Sequence, residues 1–201
     1  MEHQYEDARL YDSKAAHKLA SHYSLKGDLF RSKQHLETIL RNDCDELLGD
    51  ALFTAAVVGY ARCFNRSSGR TVIQDKEVRS LASGAIDAHN MIMGLRNGHF
   101  AHFASELEQS KVAVFVDKSG EIIGLGSFRG RFTKLQKGGL IGFVQLIEVI
   151  IARIVEPKIQ KQTSYVENEL EGLSVAERLA LPVAMIETLG GERATANHGK
   201  P

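Results

Sequence analysis

Arg96, Asn97 and His102 are the residues of this 201-residue chain whose types and spacing suit a reaction. They lie within residues 86–105, IDAHNMIMGLRNGHFAHFAS, where a permanent cation and a titratable base stand six positions apart. An imidazole with an ordinary pKa near ~6.5 takes or gives a proton at neutral pH. A guanidinium stays charged and grips phosphate oxygens through two parallel hydrogen bonds, following charge as it builds at phosphorus. RNA carries its own nucleophile, the 2′-hydroxyl. Cleaving it needs only deprotonation, charge stabilisation and a proton for the leaving oxygen, with no metal or cofactor.

The element that must position this pair reads as a long helix. Val78, Leu81, Ala82, Ala85, His89, Ile92 and Arg96 follow one helical stripe after an expected cap at Asp75. In an unbroken α-helix, residues six apart are separated by about 9 Å of rise and point some 120° apart. The two side chains would then diverge. Asn97-Gly98 is a helix-stop signal, because both residues tolerate the left-handed conformation. A reversal there is expected to swing His102 back towards Arg96, at the rim of a core-facing surface.

The rest of the chain reads as scaffold. Its hydrophobic content is 43%, and its 25 basic and 25 acidic residues give no net charge. A global basic field for nucleic acid is therefore excluded, although a local patch is not. Cys44 and Cys63 are too few and too far apart for a disulfide framework or a zinc knuckle, and read as reduced, partly buried thiols. The polar, acidic start MEHQYEDARLYDSK has no leader or transit pattern, so a cytoplasmic location is expected. The greasiest run, residues 140–155, falls short of the ~20 residues of a bilayer span. It reads as the central helix of a bundle, apolar on most sides, which Pro157 should end or kink.

The expected fold is mostly α, a helical bundle with one inserted β-hairpin. A helical lead-in covers 1–27 and the bundle 28–160, followed by a helical extension over 161–189 and a disordered tail over 190–201. Asp28 is expected to cap one helix. Asp43, with Glu46 three residues on, is expected to cap the next as a capping box, and a short link makes the two antiparallel neighbours. Residues 65–70 form a surface loop. After Gln109 the hydrophobic period changes from 3.6 to 2, and two strands around Lys118-Ser119-Gly120 make a hairpin at about 111–127. A lone hairpin is marginal, so it should lie against the helices.

The stretch Arg96-Asn97-Gly98-His99-Phe100-Ala101-His102 resembles the signature of the HEPN superfamily (higher eukaryotes and prokaryotes nucleotide-binding). That pattern is an Arg, a polar residue and a His a few positions beyond. The helices before the motif and the long apolar helix after it are similar to that family's bundle. The resemblance implies a metal-independent endoribonuclease without cofactors, leaving 2′,3′-cyclic phosphate and 5′-hydroxyl ends. It implies a homodimer with two motifs across a cleft, a role as toxin or in phage defence, and room for an antitoxin partner. By position, Arg96 and His102 match the catalytic pair and Asn97 the supporting polar residue. Arg66, Arg70, Arg129 and Arg131 stand where they would guide an RNA backbone.

Other readings of the same residues stay open. The resemblance also covers non-catalytic modules that bind a nucleotide, an RNA or a partner protein. Arg96 would then cap a helix end, and His102 would bond a carbonyl or Glu106. His89, on an apolar stripe, reads as a satisfied core or interface histidine. His89, His99 and His102 lack the further ligands of a zinc site. Tyr60 and Phe64, at helical spacing, read as core, and Glu106 and Glu108 as solvated.

Overall fold

Spacing of apolar residues writes the helices, and the computed structural model describes residues 8–41, 45–66, 71–100, 110–129 and 135–183. In order these form α1 (Lys14–Leu40), α2 (Glu46–Arg62), α3 (Asp75–Arg79), α4 (Ala85–Gly94), β1 (Ser110–Val116), β2 (Ile122–Arg129), α5 (Lys137–Ile150), α6 (Glu156–Glu171) and α7 (Val175–Leu179). The fold is mostly helical with one antiparallel hairpin. The chain divides into two compact units, Ala20–Gln160 and a smaller one made of Met1–Leu19 with Lys161–Pro201.

In the larger unit, α1 buries Leu25, Leu29, Ser32, Leu36 and Ile39, a stripe at i+3 and i+4 steps. Facing it, α2 buries Phe53, Ala56, Val57, Tyr60 and Ala61. The two run antiparallel: Leu25 meets Cys63, Asp28 meets Arg62 and Ser32 meets Gly59. No helix starts at Asp28. α1 runs through Gly27 and Asp28 without a break, because one glycine inside a long helix costs only about 1 kcal/mol. The cap of α2 is Asp45, whose carboxylate accepts the Leu48 amide at 2.8 Å, and not Asp43, which lies outside the described residues.

The expected third helix is two. α3 is capped by Gln74, with Glu77 accepting the Gln74 amide at 3.0 Å, so Asp75 is its first residue and not its cap. It ends at Arg79, and α4 begins only after Gly84, whose φ of +85° places it in the left-handed region. Glycine meets that turn without strain.

α5 and α6 form one continuous rod, Lys137–Glu171, 35 residues long. Pro157 neither ends it nor stands in a regular ladder. A π-helical segment, Ile151–Val155, lies just ahead, and the Glu156 amide donates to the carbonyl of Ile151, five residues back. The ladder has slipped by one residue before the donor-less proline arrives, and the helix continues beyond it. By length and composition the rod also passes for a bilayer-crossing helix. Its apolar stripe Leu140, Phe143, Leu146, Ile147 and Ile150 is buried, while the apolar Ile141 and Val149 are exposed, so it is apolar on more sides than the one it buries. Ion pairs fasten it to its neighbours: Lys33 to Glu148 and Lys26 to Glu156 from α1, and Glu77 of α3 to Lys158, each at 2.6 Å.

The hairpin forms where expected. The Asp117 carboxylate accepts the amides of Ser119 and Glu121 at 2.8 and 3.0 Å, and Gly120 takes φ +88°. It does not bury its side chains against the helices, however. Its aliphatic residues stay exposed, because strand pairing alone satisfies the backbone while leaving both sheet faces open.

In the smaller unit, Ser13 caps α1 by accepting the Ala16 amide at 3.1 Å and donates to Glu169 of α6 at 2.7 Å. Leu10 donates to the Pro182 carbonyl at 2.7 Å, beside a bridge from Arg9 to Val183. α7 opens with a capping box between Ser174 and Glu177.

Gly59 marks the closest approach of α1 and α2, since a Cβ there would stand 2.6 Å from the Ser32 hydroxyl oxygen. Gly59→Leu is expected to lower unfolding free energy by about 1–3 kcal/mol through overpacking. Urea denaturation followed by circular dichroism measures it, and an unchanged midpoint would show that the helices part freely there.

Candidate functional site at the end of the fourth helix

α4 enters the core through His89 and Ile92, both buried. It then passes into a π-helical turn, Leu95–Phe100, which packs against α2. Leu95 is buried, Arg96 half-buried and Asn97 exposed, so the turn carries the guanidinium from the core edge towards solvent. Arg96 Nη1 donates to Asn97 Oδ1 at 2.9 Å.

Here the structure differs from the expected helix stop. Asn97 and Gly98 do not reverse the chain; the helix widens and runs on to Phe100. Glycine permits the left-handed conformation without requiring it, and the Asn97 side chain is engaged with Arg96. Widened turns of this kind are one-residue slips in a helix, frequent at functional sites.

Arg96 and Asn97 are thus brought together, whereas His102 lies outside the described residues, as do Arg70, Arg131, Glu106 and Glu108. Arg66 is exposed just beyond α2, and Arg129 is the last residue of β2. Cys63 is buried, and Cys44 lies outside the described residues.

Behind the turn lies a constellation that sequence reading took as three separate residues. Tyr60, 0% exposed, holds His89 Nδ1 at 2.9 Å, and His89 Nε2 faces the Asp75 carboxylate at 3.6 Å. Burial pushes the Tyr60 hydroxyl well above its ordinary range, with Cys63 and Asp75 adding to it, so it stays a donor. Burial also pushes the His89 ring down, against the pull of Asp75, so the ring is neutral. A neutral ring that accepts the tyrosine proton at Nδ1 carries its own proton at Nε2, facing the acceptor-only carboxylate. Phe64 lies 4.4 Å from the His89 ring and Phe143 packs edge-on to Tyr60 at 5.1 Å, which seals the pair from water. His89 is the satisfied core histidine its apolar stripe suggests.

A second feature had no marker in the sequence. Asp28, Arg31, His35 and Arg62 line a groove of about 280 Å³ between α1 and α2. The first three sit at helical spacing on α1 and Arg62 on α2, so only the crossing brings the four together.

The chain matches no family model, no curated protein and no solved structure.

His89 makes stability depend on pH with a definite sign. Its folded pKa is below the ordinary ~6.5, so the unfolded chain binds the proton first. The contribution is complete above that value and is lost as pH falls below it towards the folded pKa. Urea midpoints across this range should therefore decline on acidification, and the arm assigned to this ring should flatten in His89→Gln. An equal slope in the variant would mean the ring does not titrate this way.

Proposed function

We propose that this protein is a metal-independent endoribonuclease of the HEPN type, working as a homodimer. The observation that carries the reading is the Arg96–Asn97 pair, hydrogen-bonded on a widened turn at the edge of a helical core. A guanidinium held on one side by an amide oxygen keeps further N–H donors in its planar fork for a phosphate. His102 follows six positions on.

In this mechanism the neutral imidazole of His102 takes the proton of the 2′-hydroxyl, whose oxygen attacks the adjacent phosphorus. Arg96 holds the phosphate and offsets the charge gathering on its oxygens. The 5′-oxygen leaves with a proton from a protonated imidazole, that of His102 in the partner copy. The products are a 2′,3′-cyclic phosphate and a 5′-hydroxyl end. Asn97 orients the guanidinium, and Arg66, Arg70, Arg129 and Arg131 guide the backbone by charge. An antitoxin partner and a role as toxin or in phage defence belong to the same reading.

Purified protein incubated with total RNA in EDTA is expected to cleave, with products whose 3′ ends resist ligation until the cyclic phosphate is opened and the phosphate removed. His102→Ala and Arg96→Ala should each lose about a hundredfold or more in rate, the first by removing a proton-transfer group and the second by removing a charge that stabilises the transition state. Asn97→Ala should lose less, because it removes an orienting bond and leaves the charge. Equal background cleavage in all of these would sink the nuclease reading. A shift of RNA mobility without shortening would favour a non-catalytic binding module.

A further inference from the structure

A groove between the start of α1 and the later turns of α6 holds side chains that neither the core nor the nuclease reading uses. It encloses about 530 Å³, the size of a small-molecule site, and all of its lining belongs to the smaller unit. Lys14 and Lys18 stand on one wall, a helical turn apart, with Gln162, Tyr165, Asn168 and Glu169 on the other. Gln162 is the residue that asks for a ligand. It is only 6% exposed, yet its amide takes no hydrogen bond from any described residue and lines the groove. A carboxamide so deeply placed costs stability unless something meets its donors and acceptor, and what can meet them is whatever fills the groove.

The lysines make a similar case. Among the described residues neither has a carboxylate partner, although both lie in the first two turns of a helix whose amide end already carries partial positive charge. The first turn holds no acidic residue, and Asp12 just ahead of it is engaged with His17 at 2.6 Å. An anion on this wall would offset both the ammonium groups and the helix end.

We infer that the groove binds a phosphorylated sugar or polyol, its phosphate on the lysines and its hydroxyls on the α6 wall. An ammonium is a point charge that suits a phosphate dianion. Gln162 and Asn168 each offer donors and an acceptor and Glu169 offers acceptors alone, a set that matches hydroxyls, which donate and accept. Glu169 already takes hydroxyl protons: its Oε2 accepts from Ser13 at 2.7 Å and from Tyr11 at 3.2 Å. A carboxylate on that wall repels a ligand charged at both ends, which sets aside dicarboxylates and acidic peptides. Tyr165, half exposed, offers its ring to the C–H face of a sugar, and Lys161 Nζ, 5.9 Å from the ring centre, adds positive charge beside it. Among the described residues that line the groove there is no second aromatic ring to sandwich a nucleobase.

Equilibrium dialysis of the full chain against radiolabelled ribose 5-phosphate, glucose 6-phosphate and glycerol 3-phosphate should show saturable retention of at least one. Lys14→Ala with Lys18→Ala should weaken it by about tenfold or more, and Gln162→Leu by about tenfold, as loss of charge-assisted and neutral hydrogen bonds does. Gln162→Leu also separates binding from structure. Because the amide holds nothing in the fold, the urea midpoint should not fall. A falling midpoint would show that the amide serves the fold, and overturns the inference. So does retention of none of the three probes, or binding that Gln162→Leu leaves unchanged. Inorganic phosphate held as tightly as the organic phosphates would mean a site for charge only, and adenosine monophosphate held about tenfold tighter than all three would mean a nucleotide site; either result overturns it too. None of these outcomes bears on the nuclease reading, which uses none of these residues.

Discussion

The hydrogen bond from Tyr60 to His89 is the constraint on which the larger unit turns. Both rings are out of reach of water, so each polar atom must find its partner inside the protein or cost about 1–3 kcal/mol. Tyr60 belongs to α2 and His89 to α4, while Asp75 opens α3 and Phe143, packed on Tyr60, belongs to α5. One bond therefore ties the rotation of α4 to the packing of three other helices. Arg96 follows His89 by seven residues, two helical turns, and so keeps the same side of the helix. Burial of His89 is what leaves Arg96 at the rim, half-buried with its charge outward.

The long rod of α5 and α6 works differently, by fixing ends. Its apolar stripe goes into the core, and its flanking carboxylates and amine meet lysines and a glutamate from α1 and α3. The Glu77 carboxyl lies below its ordinary range: burial raises it, but the Lys158 ammonium and the Gln74 amide outweigh that. Partly exposed pairs of this kind contribute little each, so the rod owes its place mainly to buried aliphatics and takes its rotation from the pairs.

Sequence pattern made some of this legible and hid the rest for identifiable reasons. The stripes of α1, α2 and α5 and the change of period at the hairpin are local signals, and they appear as elements where expected. Boundaries failed where a residue type permits a conformation without compelling it. Gly27-Asp28 sits inside a helix, Asp45 and not Asp43 caps α2, and Gly98 stays helical while Gly84 breaks the chain. The Arg96–Asn97 contact needed no fold to foresee, since the residues are neighbours. The Tyr60–His89–Asp75 set did, because its members are up to 29 residues apart and only helix packing brings them together. The fate of the hairpin was misjudged because marginal stability says that something must cover it, not what.

The slipped ladder at Ile151–Val155 has a consequence for how this chain tolerates change. Buried positions step from Ile150 to Ile154 and Val155, then to Ile159, so the surplus residue is absorbed within one turn and the inward side stays inward. Removing a single residue such as Ala152 would restore regular winding and leave the facing of everything after it unchanged, so Lys158 would still meet Glu77. Pro157 would then meet a ladder expecting its missing donor and crowd the carbonyl four residues back. The wide turn is the room this proline takes, and the rod carries one residue more than its packing alone requires.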